Sequence, residues 1–456
     1  MTAAIDAFTR HGLGVRFEDL PAGAVSAVKT FLLDTLGVGI AGAGTPLSRN
    51  IRAASAKWGE GQGAHIWGPG AVEATAPTAA FVNGFQIHGQ EFDCVHEPAV
   101  VHPLATILAA LMAECENGGQ VSGKDLAVAM AVSVDMAAGL GVAVTSPIRF
   151  FRPANAGLFG ATLGLSRLRG FDETQTKDAM GYALAFCSGT MQAHVEGKPA
   201  LPVQIANAAR AAIMAVDLAE TGLPGPHDTL EGPFGYFALF EEAHDIAPVV
   251  EQLGKVWRIA EVSHKPFPTG RAAQGGIVLM QKLLAQGVTA TDIQHLELSA
   301  PPLIHRLVGR PLVHDMTANY ARLCFQYSGA VTLLKGGVGL DDFSEAALGD
   351  EATRALGARI TALDNGTTDP AAFTPQIATA TLKDGRTVTA QIDALYGSPA
   401  DPMSRDAHLE KFRSCCAFGF EGARPDTENA LIQLTDKLET LDDVSRLARL
   451  AAGMEA

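Results

Sequence analysis

His88, Glu91, Asp93, His96, Glu97 and His102 fall in one short, proline-punctuated segment, FQIHGQEFDCVHEPAVVHP. An imidazole is the one side chain whose ordinary pKa lies near neutrality. Carboxylates beside it can orient the ring and tune that pKa. The set therefore suits proton transfer or the holding of a small anion. Two or three histidines with a carboxylate can also hold a metal. The spacing fits no fixed zinc or iron motif, however, and Pro98 and Pro103 rule out an HExxH-type helix. A purely structural cluster is another possibility, and acid–base and carboxylate-binding work with no metal and no cofactor a further one. Pro103 suits the first turn of a helix, which places His102 at the N-cap, beside the partial positive charge of a helix start. An anionic ligand is favoured there.

Cations that could hold an anion lie elsewhere along the chain. Arg149 and Arg152 precede an Ala-rich helix, where a cation is disfavoured unless an anion joins it, although both could simply reach solvent. Lys198 follows Glu196-Gly197, with Gln204 just beyond; a loop lysine is more often merely solvated. His264-Lys265-Pro266-Phe267-Pro268-Thr269-Gly270-Arg271 is a rigid turn that offers Lys265 and Arg271. Tyr327, in Cys324-Phe325-Gln326-Tyr327, could reach a site or only pack with its hydroxyl at a rim. Separated cations, a His/acid cluster and a tyrosine suit a small polycarboxylate, each charge-assisted contact contributing roughly 1.5–3 kcal/mol. The same cations would stabilise the enediolate that forms when a proton leaves the carbon next to a carboxylate.

The elements that must position these groups are mostly helical. Apolar residues recur at helical spacing over Val25–Gly37, and Ala-rich helices are predicted at 77–87, 104–116, 124–139, 154–168, 173–188 and 203–221. Ser122 and Asp172 look like caps. The pattern then changes: Lys255–Val262, Ile293–Ala300 and Arg359–Leu363 alternate like strands. ATATLKDGRTVTAQI reads as a hairpin about a type I′ turn at Asp384-Gly385. Helices are expected at 272–286 and 317–334. The reading is mainly α: an all-α domain over 1–260, an α+β lid over 261–396, and a helical tail over 397–456 returning to the first domain.

Composition narrows the partners. The chain has 456 residues, longer than a single core usually grows, with 34 basic against 49 acidic residues and a formal charge of −15. No basic block is present, which argues against nucleic acid and anionic membrane. The longest apolar run, Ala127–Val144, contains Ser133 and Asp135 and reads as a buried helix, not a membrane span. Six cysteines without CxxC spacing, and early apolar runs interrupted by Arg10, Arg16, Glu18 and Asp19, predict a reduced, cytoplasmic setting without a signal peptide.

Asn83-Gly84, His88, Glu91-Phe92-Asp93-Cys94 and His102-Pro103 resemble the pattern of the MmgE/PrpD family of 2-methylcitrate dehydratases, cis-aconitate decarboxylases and iminodisuccinate epimerases. Lys265-Pro266-Phe267-Pro268 resembles its second motif. The resemblance covers nearly the whole chain. It implies the same two-domain plan, a homodimer, and cofactor-independent elimination, epimerisation or decarboxylation of a small polycarboxylate, with dehydration ranked first. Together with the residue readings above, it makes His102, Lys265, Tyr327 and Glu91 the expected catalytic residues, and Asp93, His96, Arg149, Arg152, Lys198, Gln204 and Arg271 the expected substrate-binding ones. The chain departs from the pattern at Glu91 and Cys94, each in the place of an Asp. It departs again at Arg152 and Gln274 (each His in relatives), at Leu201 (near a Lys) and at Gly270 (Cys or His). Loss of those groups leaves open a family member that binds a carboxylate without turning it over.

Overall fold

The computed structural model describes residues 3–59, 61–369 and 371–455. It is mainly α-helical, with one four-stranded sheet and a two-stranded ribbon. One hydrophobic core joins the helices Ala22–Ala43, Ala76–His88, Pro103–Asn117, Gly123–Val142, Arg152–Leu168 and Ala200–Glu220. Small residues let them approach closely. A Cβ on Gly160 would lie 2.5 Å from the Ser133 carbonyl oxygen, and one on Gly42 would meet the Gln86 carbonyl. The helix starts follow local chemistry. Ser122 accepts from the Asp125 amide, and Asp172 forms a reciprocal capping box with Gln175.

The two helices apolar enough to suggest a membrane span, Ala22–Ala43 and Gly123–Val142, are largely buried in this core. Asp135, mid-helix, is held there by His11 Nε2 at 2.9 Å and the Arg258 amide at 2.8 Å. The C-terminal helix Arg405–Gly419 packs on Ala22–Ala43, and Phe412, Cys415 and Cys416 enter the same core.

A second pair of apolar clusters spans residues 272–395. Its sheet has the order Ile360–Asp364, Ile293–Ala300, Gln376–Leu382, Thr387–Ile392, parallel at the first pairing and antiparallel at the others. Helices Arg271–Ala285 and Phe325–Lys335 pack together in this region, the first against the hairpin strands and the second against the parallel edge.

Three sequence expectations differ from what forms. Lys255–Val262 contains a 3-10 turn at Arg258–Glu261, pinned by the Arg258 amide on Asp135. The 317–334 helix breaks at Cys324, whose backbone is extended, so that the Arg322 carbonyl accepts from Gly270. In the hairpin only Gly385 has positive φ (+87°), and its amide bonds the Leu382 carbonyl; this is a tight turn closed by a left-handed glycine, not a type I′ turn.

Candidate active site

The segment Gly89–Val101 links the Ala76–His88 and Pro103–Asn117 helices without regular structure of its own. His102 is the N-cap of the second helix and Pro103 its first residue. Two non-glycine residues in the segment are left-handed, Glu91 (φ +50°) and Val100 (φ +53°). Backbone strain of this kind costs about 1–3 kcal/mol and persists where the surroundings over-determine it. Here they do. Lys411, from the C-terminal helix, donates to the Phe92 carbonyl at 2.9 Å and pairs with Asp34 at 2.7 Å. Val95 forms a two-way backbone bridge with Ser263.

Glu91 and Asp93 meet Lys265 from the second motif. Lys265 is fully buried, with Nζ 2.9 Å from Glu91 and 3.5 Å from Asp93. On its other oxygen Asp93 faces two imidazoles: His88 Nδ1 at 2.9 Å and His102 Nδ1 at 3.3 Å. The two rings lie edge to face, 4.9 Å between centroids. Burial opposes every charge here, but partners decide the outcome. Against burial, Lys265 and the two histidines hold Glu91 down to about 2, and the His88, Lys265 and His102 charges hold Asp93 well below the carboxylate range. His88 is raised, because the charge and hydrogen bond of Asp93 and the charge of Glu91 outweigh its burial. His102 is lowered, by burial and then by Lys265. An ionised Asp93 can only accept, so His88 Nδ1 donates to it; His102 Nδ1, 3.3 Å from the same oxygen, makes no hydrogen bond of good geometry, but the charge of Asp93 favours its proton on that nitrogen. A neutral His102 then keeps its lone pair on Nε2.

His88, Glu91, His102 and Arg271 line a cavity with ≈ 90 Å³ of space for the centre of a water molecule. Phe151, Met191, His194 and Leu201 close it on one side, and Leu303, Leu307, Leu323 and Phe373, from the part of the chain that holds the four-stranded sheet, on the other. His194 is held down to about 4 by burial and the Arg310 charge, so it is a neutral wall residue. His88, Asp93 and His102 also lie close enough to share an ion. The ammonium of Lys265 already neutralises that carboxylate, which disfavours a second cation there.

The expected site residues divide. Glu91, Asp93, His102, Lys265 and Arg271 are brought together. Arg271, however, is not a free anchor. Its guanidinium meets Glu97 at 2.7 Å and also bonds Gln274 and the Tyr396 carbonyl, while its pKa is lowered by burial. His96 braces the loop: Nδ1 accepts from the Ala99 amide, so Nε2 donates to Glu261 at 2.9 Å. Arg152 is buried in a two-pronged pair with Glu241 and bonds the Ala99 carbonyl. Gln204 accepts from the Thr190 amide. Arg149 is exposed and pairs with Glu242, and Lys198 is exposed. Tyr327 is fully buried away from the cavity and donates to the Asp342 carbonyl; burial and the Asp342 charge push its hydroxyl up. Burial likewise pushes up the Cys94 thiol, which leaves it inert beside Asp34 and Asp93. His88 was visible in the motif as a partner of Asp93 only once folded, and nothing in the sequence around His194 marks it as a cavity residue.

Comparison with known proteins gives the family. Residues 6–249 match the MmgE/PrpD N-terminal domain and residues 267–437 the MmgE/PrpD C-terminal domain. Cis-aconitate decarboxylase of Mus musculus is 28% identical over 463 residues, covering 97% of this chain and 92% of the relative. The Homo sapiens protein of that name is 29% identical over 460 residues, covering 97% and 93%. The cis-aconitate decarboxylase-like protein oryM of Aspergillus oryzae is 28% identical over 468 residues, covering 95% and 94%. The two domain matches follow in order along the chain and together take in every residue of the buried His/acid/Lys cluster except Lys265, which falls between them; the chain belongs to the MmgE/PrpD family.

Proposed function

We propose that this protein is a lyase acting on a small di- or tricarboxylate, by proton transfer at a carbon next to a carboxylate and without metal or organic cofactor. The observation that carries the reading is that two imidazoles face one oxygen of Asp93 at the edge of the cavity, in surroundings that move their pKa values in opposite directions. Environments that push two titratable groups apart assign an acid and a base. His102, whose pKa is lowered by burial and Lys265, is the base through Nε2; His88, whose pKa is raised by Asp93, is the acid. Glu91 and Lys265 supply a buried, internally compensated pair whose dipole is fixed before substrate arrives. In a dehydration, His102 removes the proton and His88 protonates the departing hydroxyl. In a decarboxylation, the C–C bond breaks, carbon dioxide leaves, and His88 gives its proton to the carbanion. The names of the relatives favour decarboxylation, and the motif resemblance first suggested dehydration; the same groups serve both.

The test is NMR in deuterated water with a panel of di- and tricarboxylates that includes cis-aconitate, using chelator-dialysed enzyme. The expected result is deuterium incorporation or carbon dioxide release with at least one substrate, undiminished by the chelator. In His102→Asn the rate should fall by about 10²-fold or more with binding largely retained. Turnover at the wild-type rate in His102→Asn would remove His102 from the mechanism. Binding without exchange or release across the panel would instead make the protein a carboxylate-binding member of the family.

A further inference from the structure

Four arginines are buried to the same degree, each 4% exposed: Arg152, Arg258, Arg271 and Arg322. Three have a carboxylate: Glu241, Glu261 and Glu97 in turn. Arg322 does not. Its Nη2 donates to Gln90 Oε1 at 2.7 Å, its guanidinium lies 4.6 Å from the Phe343 ring centre, and its Nε is buried without a partner. Burial lowers it to about 10, opposed only by the more distant charge of Glu91. A buried cation without a counter-charge is costly, and cavities that contain one are suited to an anion that completes the pair.

Arg322 opens onto a groove of ≈ 890 Å³ between the two domains, whose lining shares no residue with the candidate active site. Leu47 and Phe418 form one wall, and Met316, Phe343 and Leu348 the other. Asn319, also buried, lies beside Arg322. Arg354 lines the groove too, but gives its donors to the His314, Leu348 and Val313 carbonyls. Toward solvent the groove carries Asp315, Asp341, Glu345 and Glu351, all exposed.

We propose that this groove binds a monocarboxylate with an apolar body, its carboxylate paired with Arg322 and its body against Met316, Phe343 and Leu348. One positive charge at the base calls for one negative charge. The apolar walls favour a hydrocarbon body, and the acidic rim repels a second carboxylate. The site is thus distinct in ligand class from the di- or tricarboxylate site.

Calorimetric titration of the full-length protein with hexanoate and with adipate tests this. Hexanoate is expected to bind at one equivalent, and adipate at least tenfold more weakly. Arg322→Gln, and separately Leu348→Glu at a half-exposed position, should each weaken hexanoate at least tenfold, whereas Arg271→Met in the other cavity should leave it unchanged. If Arg322→Gln does not fold, Leu348→Glu decides alone. No hexanoate binding to the wild type, undiminished binding in the groove variants, or binding that follows Arg271 would each overturn the proposal.

Discussion

Asp93 stands between two imidazoles and an ammonium, and its charge separates the behaviour of the two rings. His88 has its pKa raised from the ordinary value and His102 lowered. Turnover that needs neutral His102 and protonated His88 must rise with pH through a pKa below about 6.5 and fall through one above it. The expected kcat/KM profile is bell-shaped with its limbs on either side of that value, and His88→Gln should erase the falling limb. Lys265 carries a different prediction, because it is paired and fully buried and not free to anchor substrate. Lys265→Met leaves buried Glu91 without its close cation, while Asp93 keeps His88, and should cost about 3–5 kcal/mol of stability at pH 7. The sign with pH follows from Glu91, whose folded pKa of about 2 lies below its ordinary 4.5. Its contribution is complete above about 4.5 and is lost as pH falls toward 2. Without Lys265, burial acts on Glu91 with less opposition and favours the neutral acid. Denaturant melts at pH 4 and pH 7 should therefore show a smaller deficit at pH 4.

The loop that carries Glu91 and Asp93 is shaped by distant elements. A left-handed Glu91 and a left-handed, β-branched Val100 would not hold in an isolated segment. The Arg405–Gly419 helix supplies Lys411, which ties the Phe92 carbonyl to Asp34; His264 and His408 stand around the same carboxylate. Burial, opposed by Asp34, holds these two histidines down to about 3 and about 4, so Lys411 is the charge that Asp34 depends on. Lys411→Met should lower the melting temperature. It should also reduce kcat in the protein that still folds, without moving either limb of the pH profile, because it touches neither histidine of the Asp93 pair. An unchanged kcat would mean that the loop holds its shape without this tie.

At the scale of the molecule, the candidate active site lies where two cores meet. The chain around the larger core contributes the proton-transfer groups, and that around the second brings Arg271 and an apolar wall. The Arg271–Glu97 pair spans that junction. We propose that the protein is a homodimer, because large apolar side chains remain at the surface, with Phe234 78% exposed and Leu223 and Leu239 nearly half exposed. Light scattering at micromolar concentration should give twice the 47.5 kDa chain mass; a monomer mass would reject it.

Periodicity and local chemistry were enough for much of this protein. Ala-rich apolar runs, the Ser122 and Asp172 caps and the alternating runs around Asp384-Gly385 act over a few residues, so helices, hairpin and the mainly-α class could be read from the chain. The position of His102 as an N-cap before Pro103 was legible for the same reason. Alternation alone misled at Lys255–Val262, where a contact from Asp135 imposes a tight turn. What only the tertiary structure decided is which charges meet. Lys265 finds Glu91 across 174 positions and Arg152 finds Glu241 across 89. No spacing rule reaches so far, so cations that look available in the sequence are neutralised in the fold, while Arg322, which looks ordinary in the sequence, is buried without a carboxylate. Burial makes those pairings obligatory, and burial is a property of the packed molecule, not of the chain.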